Sequence, residues 1–179
     1  MSLQTIQSST VVDSFAADHK LSDENINQYL TFFLAGEEYG VDILSVQEIR
    51  GWEKTTVIPN SPDYVKGVIN LRGTIVPIVD LRLRFALPVL EYGPLTVVIV
   101  LMVKDKTGRN KVVGIVVDAV SDVYDIDHLK VKNPPDLEYS VGNTYISGLY
   151  NVENKMVILL DINTLLIKAT SLNVADVEN

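Results

Sequence analysis

Two stretches of this chain repeat one another, and that repetition limits what it can fold into. Gly40 is followed by Val46, Glu48 and Ile49 at offsets of 6, 8 and 9 residues; Gly114 is followed by Val120, Asp122 and Val123 at the same offsets, a shift of 74. Farther on, Gly67, Asn70, Ile75-Val76 and Asp80 recur as Gly148, Asn151, Met156-Val157 and Asp161, a shift of 81. The second copy therefore carries seven extra residues in its proline loop. A chain this rich in Val and Ile supplies apolar matches by chance, but two Gly, an Asn and an Asp in one frame are harder to dismiss. Copies of this size bury too little surface to stand alone, so the two must pack on one another.

The repeated unit is built of short strands. Val and Ile dominate the apolar residues, and branching at Cβ suits them to a pleated surface. In chain order, strands are expected at 28–34 and 39–43 across the turn 35–38, where Glu37 and Glu38 read as exposed turn charges. Others follow at 45–50, closed by Gly51, and at 68–71 and 74–79, flanking the tight pair Arg72-Gly73. Residues 96–103 and 111–117 form a hairpin across the polar turn 104–110, and 121–126, 145–150 and 155–160 complete the set. The apolar run Val97–Val103 is far short of the roughly 20 residues a membrane span needs, so it reads as a buried strand. Pro77, inside the 74–79 run, argues for an edge position or a bulge. Residues 63–66 read as at most one helical turn, 80–85 as a short helix capped by Asp80, and 161–168 as a terminal helix.

The fold class is thus all-β: two packed five-stranded barrels, with short helices at connections and at the C-terminus. Residues 28–168 form one domain, with 28–92 as the first barrel and 95–168 as the second. Residues 1–27 read as a flexible leader with a short helical stretch near 21–26, and 169–179 as an acidic tail.

Several function classes lose their footing. Net charge is −8 and the 15 basic residues form no block, which argues against nucleic acid. There is no cysteine, so disulfides and thiolate chemistry are excluded. The N-terminus lacks the basic segment and apolar core of a secretory signal, which favours the cytoplasm. His19 and His128 are isolated, no nucleophile has a visible base, and the glycines at 67 and 73 lack the Lys-Ser/Thr of a phosphate loop. Asp122, Asp125 and Asp127 alternate, yet no Gly or terminal Glu completes a calcium loop. No catalytic residue, cofactor or metal site is expected.

The repeat also separates structural from functional polar residues. Asp80 and Asp161 recur at one position, after a strand and before a helical pattern, so both read as caps. Arg72 does not recur; Glu153 stands in its place. A guanidinium among apolar neighbours is costly to bury, so it must be paired or directed at something. Arg72 is the best candidate for a role specific to the first copy.

Residues Glu38 to Gly51 resemble a stretch of the bacterial chemotaxis coupling (CheW) family. So do Lys66 to Gly73 with Ile75 to Arg82, and Gly114 to Asp118 with Val120 to Val123. The likeness runs from about Gln28 to Leu166. It implies two five-stranded SH3-like barrels and a non-catalytic adaptor. That adaptor links the cytoplasmic signalling tips of chemoreceptors to the regulatory domain of the histidine kinase CheA, in rings within membrane-associated arrays that can include other CheW-like domains. The family's receptor-contact positions fall on Val46, Glu48, Gly67 and Arg72, with Arg72 and Glu48 close enough to pair. Kinase-contact residues are not assigned, although exposed Val or Ile on the second barrel would suit. Three rivals are a CheV-type adaptor, for which the chain stops too soon; the kinase's own regulatory domain, which would need an ATP-binding domain before it; and a small-ligand β-barrel module, which would need a pocket with convergent polar groups.

Overall fold

The alternation of apolar and polar residues sorts the chain into ten strands. The computed structural model describes residues 24–135 and 144–172. The strands are β1 (Ile26–Leu34), β2 (Glu37–Asp42), β3 (Val46–Gly51), β4 (Val65–Leu71), β5 (Thr74–Asp80), β6 (Val97–Lys104), β7 (Asn110–Val117), β8 (Ala119–Asp127), β9 (Ile146–Val152) and β10 (Lys155–Leu160). Short helices α1 (Leu81–Arg84) and α2 (Ile162–Leu166) follow β5 and β10. Asp80 caps α1 by accepting from the backbone N–H of Arg82 and Leu83, and Asp161 caps α2 through Thr164 N–H. The repeated aspartates are therefore caps, as the sequence implies.

Three hairpins close through two-residue loops in which both residues have positive φ: Ala35-Gly36 (52°, 83°), Arg72-Gly73 (50°, 86°) and Glu153-Asn154 (46°, 68°). Such turns match the right-handed twist of the flanking strands. Arg72 and Glu153 occupy the same corner of equivalent hairpins, which supports the shift of 81 read from the sequence.

The strands form two five-stranded sheets. Sheet I has the order β8-β1-β2-β10-β9 and sheet II the order β3-β6-β7-β5-β4. If the strands of the second copy are renumbered as their counterparts in the first, both orders become 3-1-2-5-4. Each sheet, however, takes its leading hairpin from one copy and its other three strands from the other. The division into a 28–92 barrel and a 95–168 barrel is therefore corrected: β1 and β2 lie in sheet I with β8–β10, while β3–β5 lie in sheet II with β6 and β7. The turn Ile43–Ser45, capped by the Asp42 carboxylate, carries the chain from one sheet to the other. Both copies present the same docking edges, so the pattern of one copy suits the hairpin of either.

Period-two alternation divides the core into three parts. Along β6, Val98 and Val100 face the interior of sheet II, with Ile69, Val76, Ile78 and Val116. Ile99, Leu101 and Val103 face the other way, into a core shared with Phe32, Leu34 and Val41 of sheet I and with Leu165 and Leu166 of α2. Tyr29, Ile126, Val157 and Leu159 fill the interior of sheet I.

Smaller corrections follow from the same packing. Glu37 and Glu38 lie in β2, and Glu38 is buried with its Oε1 accepting from the Thr31 hydroxyl at 2.7 Å. Residues 65 and 66 belong to β4 and not to a helical turn. The strand holding Pro77 lies inside the sheet, between β4 and β7. Pro77 still precedes the three residues, Ile78–Asp80, that pair with β7. Its missing N–H therefore falls outside that ladder. The leader is shorter at its C-terminal end than the sequence suggests, because Ile26 and Asn27 pair with Asp127 and Ile126. That pairing makes residue 26 a strand residue; positions 21–23 of the expected helical stretch lie outside the described residues. At the other end, Ala169 is buried and opens a 3-10 turn through Ser171.

Candidate functional site

β3 and β4 are opposite edges of sheet II, four strand spacings apart. A flat sheet would hold them roughly 19 Å from each other. Instead Arg72 Nη2, on the β4–β5 turn, donates to Glu48 Oε2 of β3 at 2.8 Å. Just beyond β3, Thr56 pairs with Val68 of β4, N–H to O at 2.9 Å and the reverse at 2.8 Å. The sheet has curled enough for the chain beyond β3 to reach β4, and the ion pair lies across that seam. In sheet I the chain beyond β8 does the same, Lys132 pairing with Leu149 of β9.

Glu48 holds two guanidiniums. Its other oxygen lies 3.4 Å from Arg50 Nη1, and Arg50 reaches on to Glu53 at 3.1 Å. The Arg72 side chain is 79% exposed, whereas that of Glu48 is 22% exposed. The carboxylate is thus the anchored member and the guanidinium the one presented to solvent. The expected pairing of Arg72 with Glu48 is present. Arg50 was not singled out from the sequence, although it lies two residues from Glu48 on the same side of β3, and period two would have found it.

Val46 starts β3 opposite Leu101, is half-buried, and packs against the shared core; a bulge separates it from Glu48. Gly67 is different in kind. It is buried with φ of 128°, and a Cβ there would lie 2.2 Å from the Thr56 carbonyl oxygen. It is also five residues from Arg72 along β4, roughly 17 Å. The structure therefore brings Glu48 and Arg72 together with Arg50, leaves Val46 on the shared core across the bulge, and places Gly67 where the crossing chain presses on β4. The recurrence of Gly148 has the same cause, since a Cβ there would meet Val131 Cγ1 at 2.2 Å.

The equivalent seam in sheet I has the opposite electrostatics. Asp122 stands for Glu48, Tyr124 for Arg50 and Glu153 for Arg72. The Tyr124 phenol is pushed up by burial first and then by the carboxylates of Glu38, Asp122 and Glu153; a hydrogen bond with Ser121 works against them. At the matched hairpin corner, the first copy presents a cation, Arg72, and the second a carboxylate, Glu153.

A second polar cluster fixes the two sheets together. Arg82 of α1 grips Asp118, between β7 and β8, through Nε and Nη2, each at 2.7 Å, and donates to the Pro88 carbonyl at 2.8 Å. Asp118 also accepts from Ala35 N–H of the β1–β2 turn at 2.8 Å. Burial alone would raise the Asp118 carboxyl. The hydrogen bonds from Arg82 and Ala35 and the charge of Arg82 outweigh it and hold the carboxyl below its ordinary value. Arg84 lies over the rings of Tyr64 and Tyr145, 5.0 and 4.4 Å from their centroids, and donates to the Tyr145 hydroxyl. Of the alternating aspartates, Asp125 accepts from Gln28 and Asp127 caps the turn at His128. No group of three or more potential metal ligands occurs among the described residues.

Comparison with known proteins places this arrangement. The family model described as the CheW-like domain matches residues 28–169. A chemotaxis protein CheW of Klebsiella aerogenes is 47% identical over 148 residues, covering 82% of this chain and 86% of that protein. One from Rhizobium meliloti is 35% identical over 137 residues, 76% of this chain and 85% of its own length. Among solved structures, the scaffolding protein TtCheW of Thermoanaerobacter tengcongensis superposes with a TM-score of 0.69 at 31% identity, covering 78% of this chain and 92% of that one. With the family model spanning both sheets, and relatives matching over most of their length, this chain belongs to the CheW-like domain family.

Proposed function

We propose that this protein is a non-catalytic chemotaxis adaptor that couples the cytoplasmic signalling tips of chemoreceptors to the histidine kinase CheA. The observation that carries the reading is the exposed Arg72 guanidinium, held at the seam of sheet II by the better-buried Glu48 carboxylate. An arginine so placed keeps donors free for acceptors on a partner, and arginine is over-represented among interface anchors. Receptor binding is assigned to Val46, Glu48 and Arg72 as surface groups, and to Gly67 as the residue that positions the seam. The kinase's regulatory domain is assigned to the second copy, where Val123 and Met156 are exposed at 42% and 44%. Exposed aliphatics of this kind suit a protein partner. Among the described residues no helix is long and apolar enough to cross a membrane. Association with membrane arrays would then come through the receptors, and contact with other CheW-like domains through ring assembly.

The test is reconstitution. Receptor signalling fragments, the kinase and this protein are mixed, and kinase autophosphorylation is followed with and without receptor ligand. Ligand control that appears only when this protein is present is the expected result. Equal control in its absence overturns the assignment.

A further inference from the structure

The β6–β7 turn carries a charge pattern unlike the rest of the chain. Residues 104–111 read Lys-Asp-Lys-Thr-Gly-Arg-Asn-Lys, four cations against one carboxylate, or +3 in a chain whose net charge is −8. The turn holds that charge in place. Its Asp105 carboxylate accepts from Thr107 N–H at 2.8 Å, the Thr107 hydroxyl at 2.6 Å and Arg109 N–H at 3.0 Å. Gly108 N–H closes onto the Asp105 carbonyl at 2.9 Å, and Lys104 N–H donates to the Asn163 side chain of α2 at 2.8 Å. The one acid is thus engaged inside the turn, and the turn is pinned to the C-terminal helix. Alternation along β7 then directs Lys111. Val113 and Ile115 face the shared core, and Lys111 continues their row past its end, beside the 3-10 turn that the buried Ala169 opens. Lys106, Arg109 and Lys111 therefore line one wall of an open groove of about 280 Å³, and Thr170, Ser171 and Leu172 line the other. The second wall adds no charge, and its two hydroxyls donate to the Ile167 carbonyl at 2.7 and 3.3 Å. Arg109 turns Nε to Thr107 and Asp105, at 2.9 and 3.4 Å, with its side chain 73% exposed. No hydrogen bond or ion pair joins the side chain of Lys106 or Lys111 to another described residue.

We propose that this groove docks an acidic segment of a protein partner, a short extended stretch whose carboxylates pair with Lys106 and Lys111 and with the outer edge of Arg109. Charge sets the chemistry, because two ammoniums and a guanidinium edge recognise anions. Charge also sets the length. A nucleic acid or an anionic membrane would overrun the +3 turn and meet the rest of the chain, which the turn leaves at −11 against the total of −8. The shape agrees. An open space of about 280 Å³ falls just under the roughly 300–1,000 Å³ of pockets that enclose a small-molecule ligand, yet it admits the side chains of a strand laid along it. The groove is separate from the Glu48–Arg72 seam. Glu48 lies opposite Val100, and the turn begins four residues on at Lys104, roughly 13 Å along β6.

The test titrates the full chain with an acetylated, amidated hexaglutamate peptide at about 20 mM and about 0.5 M salt, with backbone amide shifts as the readout. Three forms are compared: wild type, Lys106→Gln/Lys111→Gln, and Lys54→Gln/Lys155→Gln, which removes the same charge from exposed lysines elsewhere. Saturable shifts centred on residues 104–111 and 169–172 are expected at low salt, with their loss at high salt. An exposed pair contributes up to about fivefold in affinity, so the groove variant should bind about tenfold more weakly and the control variant less than about twofold. Absence of saturable shifts at low salt overturns the proposal, as does a pattern centred elsewhere or equal weakening in the two variants. Inorganic phosphate and phosphatidylcholine vesicles with about one-quarter phosphatidylserine are titrated beside the peptide. If either matches the peptide on the same residues, the assignment to a protein segment falls. Each readout is independent of receptor and kinase, so failure here leaves the adaptor assignment standing.

Discussion

Replacing Gly67 with alanine tests whether this position contacts a partner or builds the surface that does. The added Cβ would lie 2.2 Å from Thr56 O, 2.7 Å from Thr56 C and 3.0 Å from Thr55 Oγ1. Two of these atoms are backbone, so no side-chain rotation relieves them. One way out is for the crossing chain to lift from β4. That gives up the two backbone hydrogen bonds between Thr56 and Val68 and the 2.6 Å bond from Thr55 Oγ1 to the Lys66 carbonyl. At about 1 kcal/mol net each, release costs about 3 kcal/mol. The other way is to keep the contact, with about 1–3 kcal/mol of backbone strain and a similar overpacking term. The cheaper route sets the loss at about 3 kcal/mol, which for a chain of this size lowers Tm by about 10 °C. Thermal melts, amide exchange at Thr56 and Val68, and titration of the folded protein with a receptor tip fragment measure the three consequences. Binding should weaken together with lost protection at the crossing. Gly148→Ala is the control: its Cβ meets a rotatable Val131 side chain at 2.2 Å, so the loss should be nearer 1 kcal/mol. If Gly67→Ala melts within about 2 °C of wild type yet loses receptor binding, the residue touches the partner directly and the packing argument is wrong.

Arg72→Ala should weaken binding of a receptor tip fragment about thirtyfold, about 2 kcal/mol, while stability falls by less than about 1 kcal/mol because the pair is exposed. Arg72→Asn, whose side chain tolerates the positive φ of this corner, should lose the same binding with no fall in Tm; a large fall in either variant would make Arg72 structural. Asp118→Ala strands the mostly buried Arg82 and should cost about 3 kcal/mol in denaturant unfolding. Because the folded Asp118 carboxyl titrates below its ordinary value, its contribution is present above about pH 4 and is lost as pH falls through the folded pKa. The deficit of Asp118→Asn should therefore shrink between pH 7 and pH 3, and a pH-independent deficit would contradict the assignment. A chain trimmed to residues 24–172 should keep its Tm within about 2 °C, whereas trimming to 28–168 should lower it by removing the Ile26–Asp127 pairing and the buried Ala169.

What the sequence disclosed and what it withheld divide along the range of the interactions. Asp80 and Asp161 were legible as caps because a cap acts within three residues, and the repeat showed the same residue doing it twice. The Arg72-Gly73 turn was legible for the same reason. Glu38 was not: two consecutive glutamates after a glycine look like a solvated turn, and only Thr31, across the hairpin, explains an inward carboxylate. Arg82 and Asp118 stand 36 positions apart, and nothing local in either announces the other. Pairing within a copy could not be told from pairing between copies, because duplication made the docking edges alike. Of the seam, the resemblance supplied Val46, Glu48, Gly67 and Arg72. The coordinates alone separate Gly67, which shapes the crossing, from Arg72, which faces outward.

The traded hairpins have a mechanical consequence. Two barrels that merely touched along a surface could rock or slide, as neighbouring domains usually do. Here the chain crosses from one sheet to the other after β2 and again after β7, the sheets share a core, and pulling the two copies apart would have to peel β1 from β8, β2 from β10, β6 from β3 and β7 from β5. The two copies are thus held to one another by β-ladders as well as by side-chain packing. A nick in the stretch between Phe85 and Leu95 would leave a single particle whose two pieces hold each other by shared strands.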